Sequence, residues 1–213
     1  MATVEIQNEN QFVKKNDTSA EYKYICIKKD HFDVNMINLN YSNIKNSNYI
    51  EIIYKTPTII LDGLFIKTPK ISSNAITIFY KEHNINNITI KLLLNQKEHA
   101  QFIQILRSID EHISAYINKY SMEIDNEINN NFKSLSMFKY DQIIKYYNNK
   151  HSNINNDGEY YQIYLKSYLD KNIILDLEKK QNKNYIFTFN ISNIYFSGNI
   201  LLPLIKCNRC ESV

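Results

Sequence analysis

Between Gln96 and Tyr120, the apolar residues Phe102, Leu106, Ile109, Ile113, Tyr116 and Tyr120 recur at steps of three and four. Ile103, Ile105 and Ile117 widen the same stripe. That spacing predicts a helix over 96–120 with one face for a core, since 3.6 residues complete a turn. Asn95 stands at the N-cap position, and Glu98 completes a loose capping box. Lys119 suits the negative end of the helix dipole.

Elsewhere the period is two. Glu21–Lys28, Tyr49–Tyr54 and Thr58–Lys67 alternate or run rich in Ile and Tyr, as strands do. Thr56-Pro57 parts the last two, and Asp62-Gly63 signals a turn or bulge. Ala75–Lys81 and Asn87–Leu94 read as a hairpin. After the helix come strands at Tyr160–Leu169, Asn172–Glu178, Tyr185–Ile191, Ile194–Ser197 and Ile200–Ile205, with a turn at Asp170-Lys171. Phe138–Tyr147 reads as a short helix through Phe138, Ile143, Ile144 and Tyr147. Asp33–Ser47 is Asn-rich and ambiguous, Ile124–Leu135 reads as a connector, and Asn148–Gly158 as a loop.

Strands, one long helix, then strands again argue against βαβ winding. The expected fold is α+β and β-rich: an antiparallel OB-like barrel or curved sheet with one long packed helix. Residues 1–20 form a polar, partly flexible N-terminal segment, 21–206 a single domain, and 207–213 a frayed tail. Asn184–Ile205 lacks charge and could span a bilayer by length, but its alternation of Tyr185, Phe187, Phe189 and Ile191 is that of buried strands. No membrane partner is expected.

Composition narrows the classes. Hydrophobic residues make up 44% and charged residues 22%, which excludes wholesale disorder. Only 3 glycines and 3 prolines are present, so asparagine takes over turn positions. Abundant Asn, Ile, Lys and Tyr match an AT-rich genome. The net charge of +3 permits a polyanionic partner without demanding one. Three cysteines (Cys26, Cys207, Cys210) cannot all pair within the chain, so a reducing, intracellular home is expected. Met1–Lys15 lacks the apolar centre of a secretory signal.

No catalytic machinery is legible. The five histidines are scattered, and no metalloprotease motif, phosphate loop or nucleophile elbow occurs. Asp110-Glu111 is expected on the solvated side of the helix. Cys207-Asn208-Arg209-Cys210 is a C-x-x-C without a second pair, short of the four ligands structural zinc needs. The chain is therefore read as a non-enzyme with no metal or cofactor.

Aromatic and basic residues alternate on the predicted strands: Tyr22-Lys23-Tyr24, Tyr54-Lys55, Phe65 to Lys67, Phe79-Tyr80-Lys81, and Tyr164 to Tyr168 around Lys166. Rings can stack on unpaired bases and ammonium groups can meet phosphates, without sequence being read. Lys55, Lys67, Lys70, Lys81 and Lys166 are the candidate phosphate contacts. Tyr54, Phe65, Tyr80 and Tyr164 are the candidate stacking rings. The competing expectation is a scaffold or virion protein that self-associates through β edges and tyrosine-rich surfaces, so homo-oligomerisation stays open.

The segment from Tyr49 to Lys70, with its Thr-Pro closures, leads through the hairpin to Ile88–Leu94 and to Ile109-Asp110 on the helix. Tyr160–Lys166 and Ile191–Gly198 follow. Across Tyr49 to Ile205 this order resembles the single-stranded-DNA-binding-like proteins of nucleocytoplasmic large DNA viruses. Tyr195-Phe196 stands where that family has Trp, and Asp125–Ser134 is extra length. The resemblance implies an OB-like core that binds single-stranded DNA in viral replication, recombination or repair, in host cytoplasm or a virus factory.

Overall fold

A computed structural model describes residues 4–5, 26–27, 32–44, 47–81, 88–128, 139–147, 159–179 and 182–213. The strands are β1 (Val4–Glu5), β2 (Cys26–Ile27), β3 (Ile37–Ile44), β4 (Ser47–Lys55), β5 (Ile60–Asp62), β6 (Leu64–Lys67), β7 (Ile71–Ser72), β8 (Ile76–Tyr80) and β9 (Ile88–Asn95). Helix α1 (Ala100–Ile128) follows, then β10 (Lys139–Tyr140), β11 (Lys145–Tyr147), β12 (Tyr160–Ser167), α2 (Lys171–Glu178), β13 (Asn184–Ser197) and β14 (Ile200–Ser212). Apart from the small β1–β2 pair, all the strands belong to one sheet ordered β3-β4-β13-β14-β12-β9-β8. The fold is α+β, a curved, open, mixed sheet with one long helix packed against it. Of the two expected forms the curved sheet is the one observed, but it is mixed rather than antiparallel throughout, because β14 runs parallel to β12 and to β10.

Strand β13 is the hub. On one side it pairs antiparallel with β14 from Tyr185 to Ser197. On the other it receives β7 at Asn184–Tyr185, β6 at Thr188–Ile191 and β4 at Asn193–Tyr195. Its two predicted halves are one strand, bent where Ser192 is skipped in the register. Thr68 closes the neighbouring strand by bonding Phe187 twice: its amide donates to the Phe187 carbonyl at 2.9 Å and its hydroxyl accepts the Phe187 amide at 3.0 Å. At Gly63, between β5 and β6, φ is +98°, and an added Cβ would lie 2.2 Å from Asn190 Oδ1 on β13. The positive φ calls for glycine there, and a larger residue would also push the Asn190 side chain aside.

Helix α1 buries Phe102, Ile103, Leu106, Ile109, Ile113 and Ile117. The Phe102 ring meets Phe189 of β13 edge-on, 6.3 Å between centroids. The Asn95 side chain accepts from the amides of Lys97 and Glu98 at 2.9 and 3.2 Å, but it closes a turn ahead of the helix rather than capping it, since α1 starts at Ala100 and not at Gln96. The helix runs on to Ile128, beyond the expected end at Tyr120 and into the residues read as a connector. Asn184–Ile205 lies in two strands, and no helix among the described residues is long and apolar enough to cross a membrane.

Four expectations are corrected. Asn172–Glu178 is helix α2, not a strand, because the Asp170 side chain accepts the Asn172 amide at 2.8 Å and caps a turn, with Ile174 and Leu177 facing the core. Phe138–Tyr147 is not a helix. Its central amides, Ile143 and Ile144, donate to the Asp110 carboxylate at 2.8 and 3.1 Å, leaving a turn between β10 and β11. Asp110 is accordingly buried rather than solvated, and takes a third bond from Tyr140 Oη at 2.8 Å. Burial pushes its carboxyl above the ordinary range, against the pull of these donors. Finally, the expected tail continues β14 to Ser212, with Cys207 fully buried. An extra residue at Asn208 sets Cys207 opposite Phe189 and Cys210 opposite Phe187, so both thiols share one face. Most of 1–20 and of Glu21–Lys28, the hairpin connector and the Asn148–Gly158 loop lie outside the described residues.

Replacing Asp110 with Ala strands two buried amides and a tyrosine hydroxyl, so urea unfolding should show a loss of about 1–3 kcal/mol or more. Gly63→Ala should cost about 1–3 kcal/mol from its φ alone, with the contact to Asn190 adding to it. A melting temperature equal to that of the parent would contradict this account of the β5–β6 junction.

Candidate nucleic-acid interface

The alternation along β9 separates two faces. Ile88, Ile90, Leu92 and Leu94 point into the core, whereas Thr89, Lys91 and Leu93 point outward. On β12, Ile163 and Leu165 are buried, and Gln162, Tyr164 and Lys166 face out. Register aligns these outward residues into rows across the sheet. Phe79, Thr89, Lys166 and Lys206 form one row over β8, β9, β12 and β14. Thr77, Lys91 and Tyr164 form the next, then Leu93, Gln162 and Lys145. Neighbouring strands lie about 4.8 Å apart, so the rows make one continuous surface.

Lysines and rings interleave on it. Lys91 Nζ lies 5.8 Å from the Phe79 ring centre and 5.5 Å from that of Tyr147. Lys145 Nζ is 5.6 Å from Tyr164, and Lys166 Nζ 5.7 Å from Tyr168. Phe79 and Tyr168 keep 44% and 54% of their surface exposed. Lys145 also pairs with Asp141 at 2.8 Å. Among the described residues, no carboxylate pairs with Lys91, Lys166 or Lys206. The result is a patch of lysines and rings in which, among the described residues, Asp141 is the one acid that pairs with a lysine.

The nine residues picked from the sequence divide. Tyr164 and Lys166 stand at the centre of this face. Lys81 is exposed just past β8. Tyr80 sits opposite the inward Ile88, and its hydroxyl donates to Glu178 on α2 at 2.6 Å. That bond pushes the Tyr80 phenol up to about 12 and holds the ring away from the patch. Lys55, Phe65, Lys67 and Lys70 lie on or beside β4 and β6, strands that do not belong to this patch. Tyr54 is overturned as a stacking ring: it is fully buried, lies 6.2 Å from Phe32 in a stacked pair, and accepts the Asp33 amide at 3.3 Å.

Sequence reading missed Lys91, Lys145, Tyr147 and Lys206. The outward parity of Lys91 was visible in Ile88–Leu94, but nothing in the sequence said which strand would lie beside it. The two described histidines bond backbone atoms, His112 the Ile37 carbonyl at 3.1 Å and His99 the Asn95 backbone. Burial pushes the thiol of Cys207 up, and that of Cys210 up to about 12, so both stay protonated and weakly nucleophilic. No family model, curated protein or solved structure matches the chain.

Truncating the two tyrosines should separate core from surface. Tyr54→Ala should lose about 3–5 kcal/mol of stability, as large buried aromatics do. Tyr164→Ala should stay within about 1 kcal/mol of the parent in the same urea titration.

Proposed function

We propose that the protein binds single-stranded nucleic acid, DNA in preference, independently of its sequence along the lysine patch, through the outward face of β8, β9, β11, β12 and β14. The observation that carries this reading is the set of lysines without acid partners, Lys91, Lys166 and Lys206, standing among the exposed rings of Phe79, Tyr164 and Tyr168. A phosphate can reach an ammonium group while its base covers a ring, and stacking contributes about 1–3 kcal/mol per base. A duplex hides its base faces, so it would engage only the charges. The setting we propose is replication, recombination or repair of viral DNA, with no catalytic step of its own.

A second reading has its own support. The sheet path ends at β3 and β8, each of which has a partner strand on one side only among the described residues. Such edges can pair with a second copy and build a scaffold.

Fluorescence polarisation with oligo-dT and a duplex control decides between them. Tight oligo-dT binding should weaken steeply with salt, each single-strand phosphate contact adding about 0.7 to the logarithmic slope. Lys91→Glu with Lys166→Glu should lower the affinity at least tenfold and the slope by about 1.4. Lys67→Glu with Lys70→Glu should change both much less. Absence of binding at low salt, together with concentration-dependent light scattering, would put the scaffold reading first.

A further inference from the structure

Strand β11 has two working sides. Lys145 and Tyr147 face the patch, while Tyr146 turns toward a cleft of about 290 Å³ between α1 and the β10–β11 turn. Arg107, Glu111, Gln142, Tyr146 and Tyr161 line it. Arg107 and Glu111 are one turn apart on α1 and project from the same side. The Arg107 guanidinium lies over the Tyr161 ring, 4.6 Å from its centre, and donates to the Tyr161 hydroxyl. No carboxylate pairs with Arg107 among the described residues. Tyr146 meets Tyr161 edge-to-face at 5.6 Å and is 59% exposed.

These groups select a ligand class. A phosphate suits Arg107 but not the Glu111 and Asp110 carboxylates on the same wall. A neutral, planar group with donors and acceptors along its edge suits all of them, and Tyr146 offers that group a ring. The volume, near the lower bound for small-molecule pockets, suits one such group rather than several. An unpaired nucleobase answers this description.

We propose that the cleft takes one base of the bound strand and that guanine fills it best. Arg107 donates to guanine O6 and N7, Glu111 accepts from its N1–H and exocyclic amine, and Tyr146 stacks on the ring. The inference rests on the single-strand reading above. Among the described residues β11 pairs only with β12, so a strand crossing its free edge passes from the lysine patch into the cleft.

Competition polarisation at fixed salt tests it, using oligo-dT against the same oligomer carrying one central dG. The dG oligomer should bind at least about fivefold tighter, as a bidentate base contact implies. Glu111→Gln should remove that preference, so that the two oligomers bind alike, and Tyr146→Ala should weaken both oligomers. Both side chains are exposed, so the melting temperature of either variant should match the parent. Equal affinity for the two oligomers, with Lys91→Glu and Lys166→Glu still lowering it at least about tenfold, would overturn the cleft and leave the single-strand reading standing. Failure of every oligomer to bind at low salt would overturn both.

Discussion

Every other element takes its place from the backbone ladder of β13. It runs through the core with Tyr185, Phe187, Phe189, Ile191 and Ile194 buried, so its amides and carbonyls must find partners on both sides. Strand β14 supplies one side without interruption of direction. The other side is filled piecewise by β7, β6 and β4, which explains why the chain between Tyr49 and Ser72 is broken into short strands by Thr56-Pro57, Gly63 and Thr68-Pro69. Thr68 is informative here. Proline at 69 has no amide, and the Thr68 hydroxyl accepts the Phe187 amide beside the register shift at Thr188/Phe189.

The carboxylate of Asp110 plays the corresponding part for α1. A helix lying on a sheet by apolar contact alone could slide, because such contacts have no direction. Three donors converging on one buried carboxylate do have direction. They fix the β10–β11 turn against the helix, and so set where β11 joins the edge of β12. The position of Lys145 on the outward face, and of Tyr146 in the cleft, follows from that clamp.

Legibility in the sequence tracked the range of the interactions. Helix α1 and the β8–β9 hairpin were readable because their periods and neighbours are local. Strand β12 was readable from Tyr160 to Ser167 for the same reason. Helix α2 was not, since eight residues with two adjacent isoleucines satisfy a strand pattern, and only the Asp170 cap breaks the tie. The β10–β11 turn was hidden because the acid that organises it lies some thirty positions away. Strand β14 past Ile205 was hidden because a bulge at Asn208 shifts the alternation by one. For the candidate site the same rule applies. Tyr164 and Lys166 were found by their own strand, whereas Lys91, Lys145 and Lys206 required its partners to be known. Tyr54 misled because a tyrosine beside a lysine on a strand looks alike in either orientation.

A chain rich in tyrosine and lysine will place the two side by side often, so abundance argues for nothing. Register is different, because composition does not decide which strands become neighbours. The rows across β8, β9, β12 and β14 gather residues more than a hundred positions apart, and the ion pairs of the described residues leave three of the lysines on this face without an acid partner. Among the described residues, lysines without an acid partner are common beyond this face as well, while Lys145, on it, meets an acid as Lys183 does elsewhere. What sets this face apart is not a lack of acids but the rings stationed beside three of its ammonium groups, those of Lys91, Lys145 and Lys166. On the reading we propose, ammonium and ring must stand side by side along the strand's path, and it is their pairing across neighbouring strands, which composition alone does not decide, that supports it.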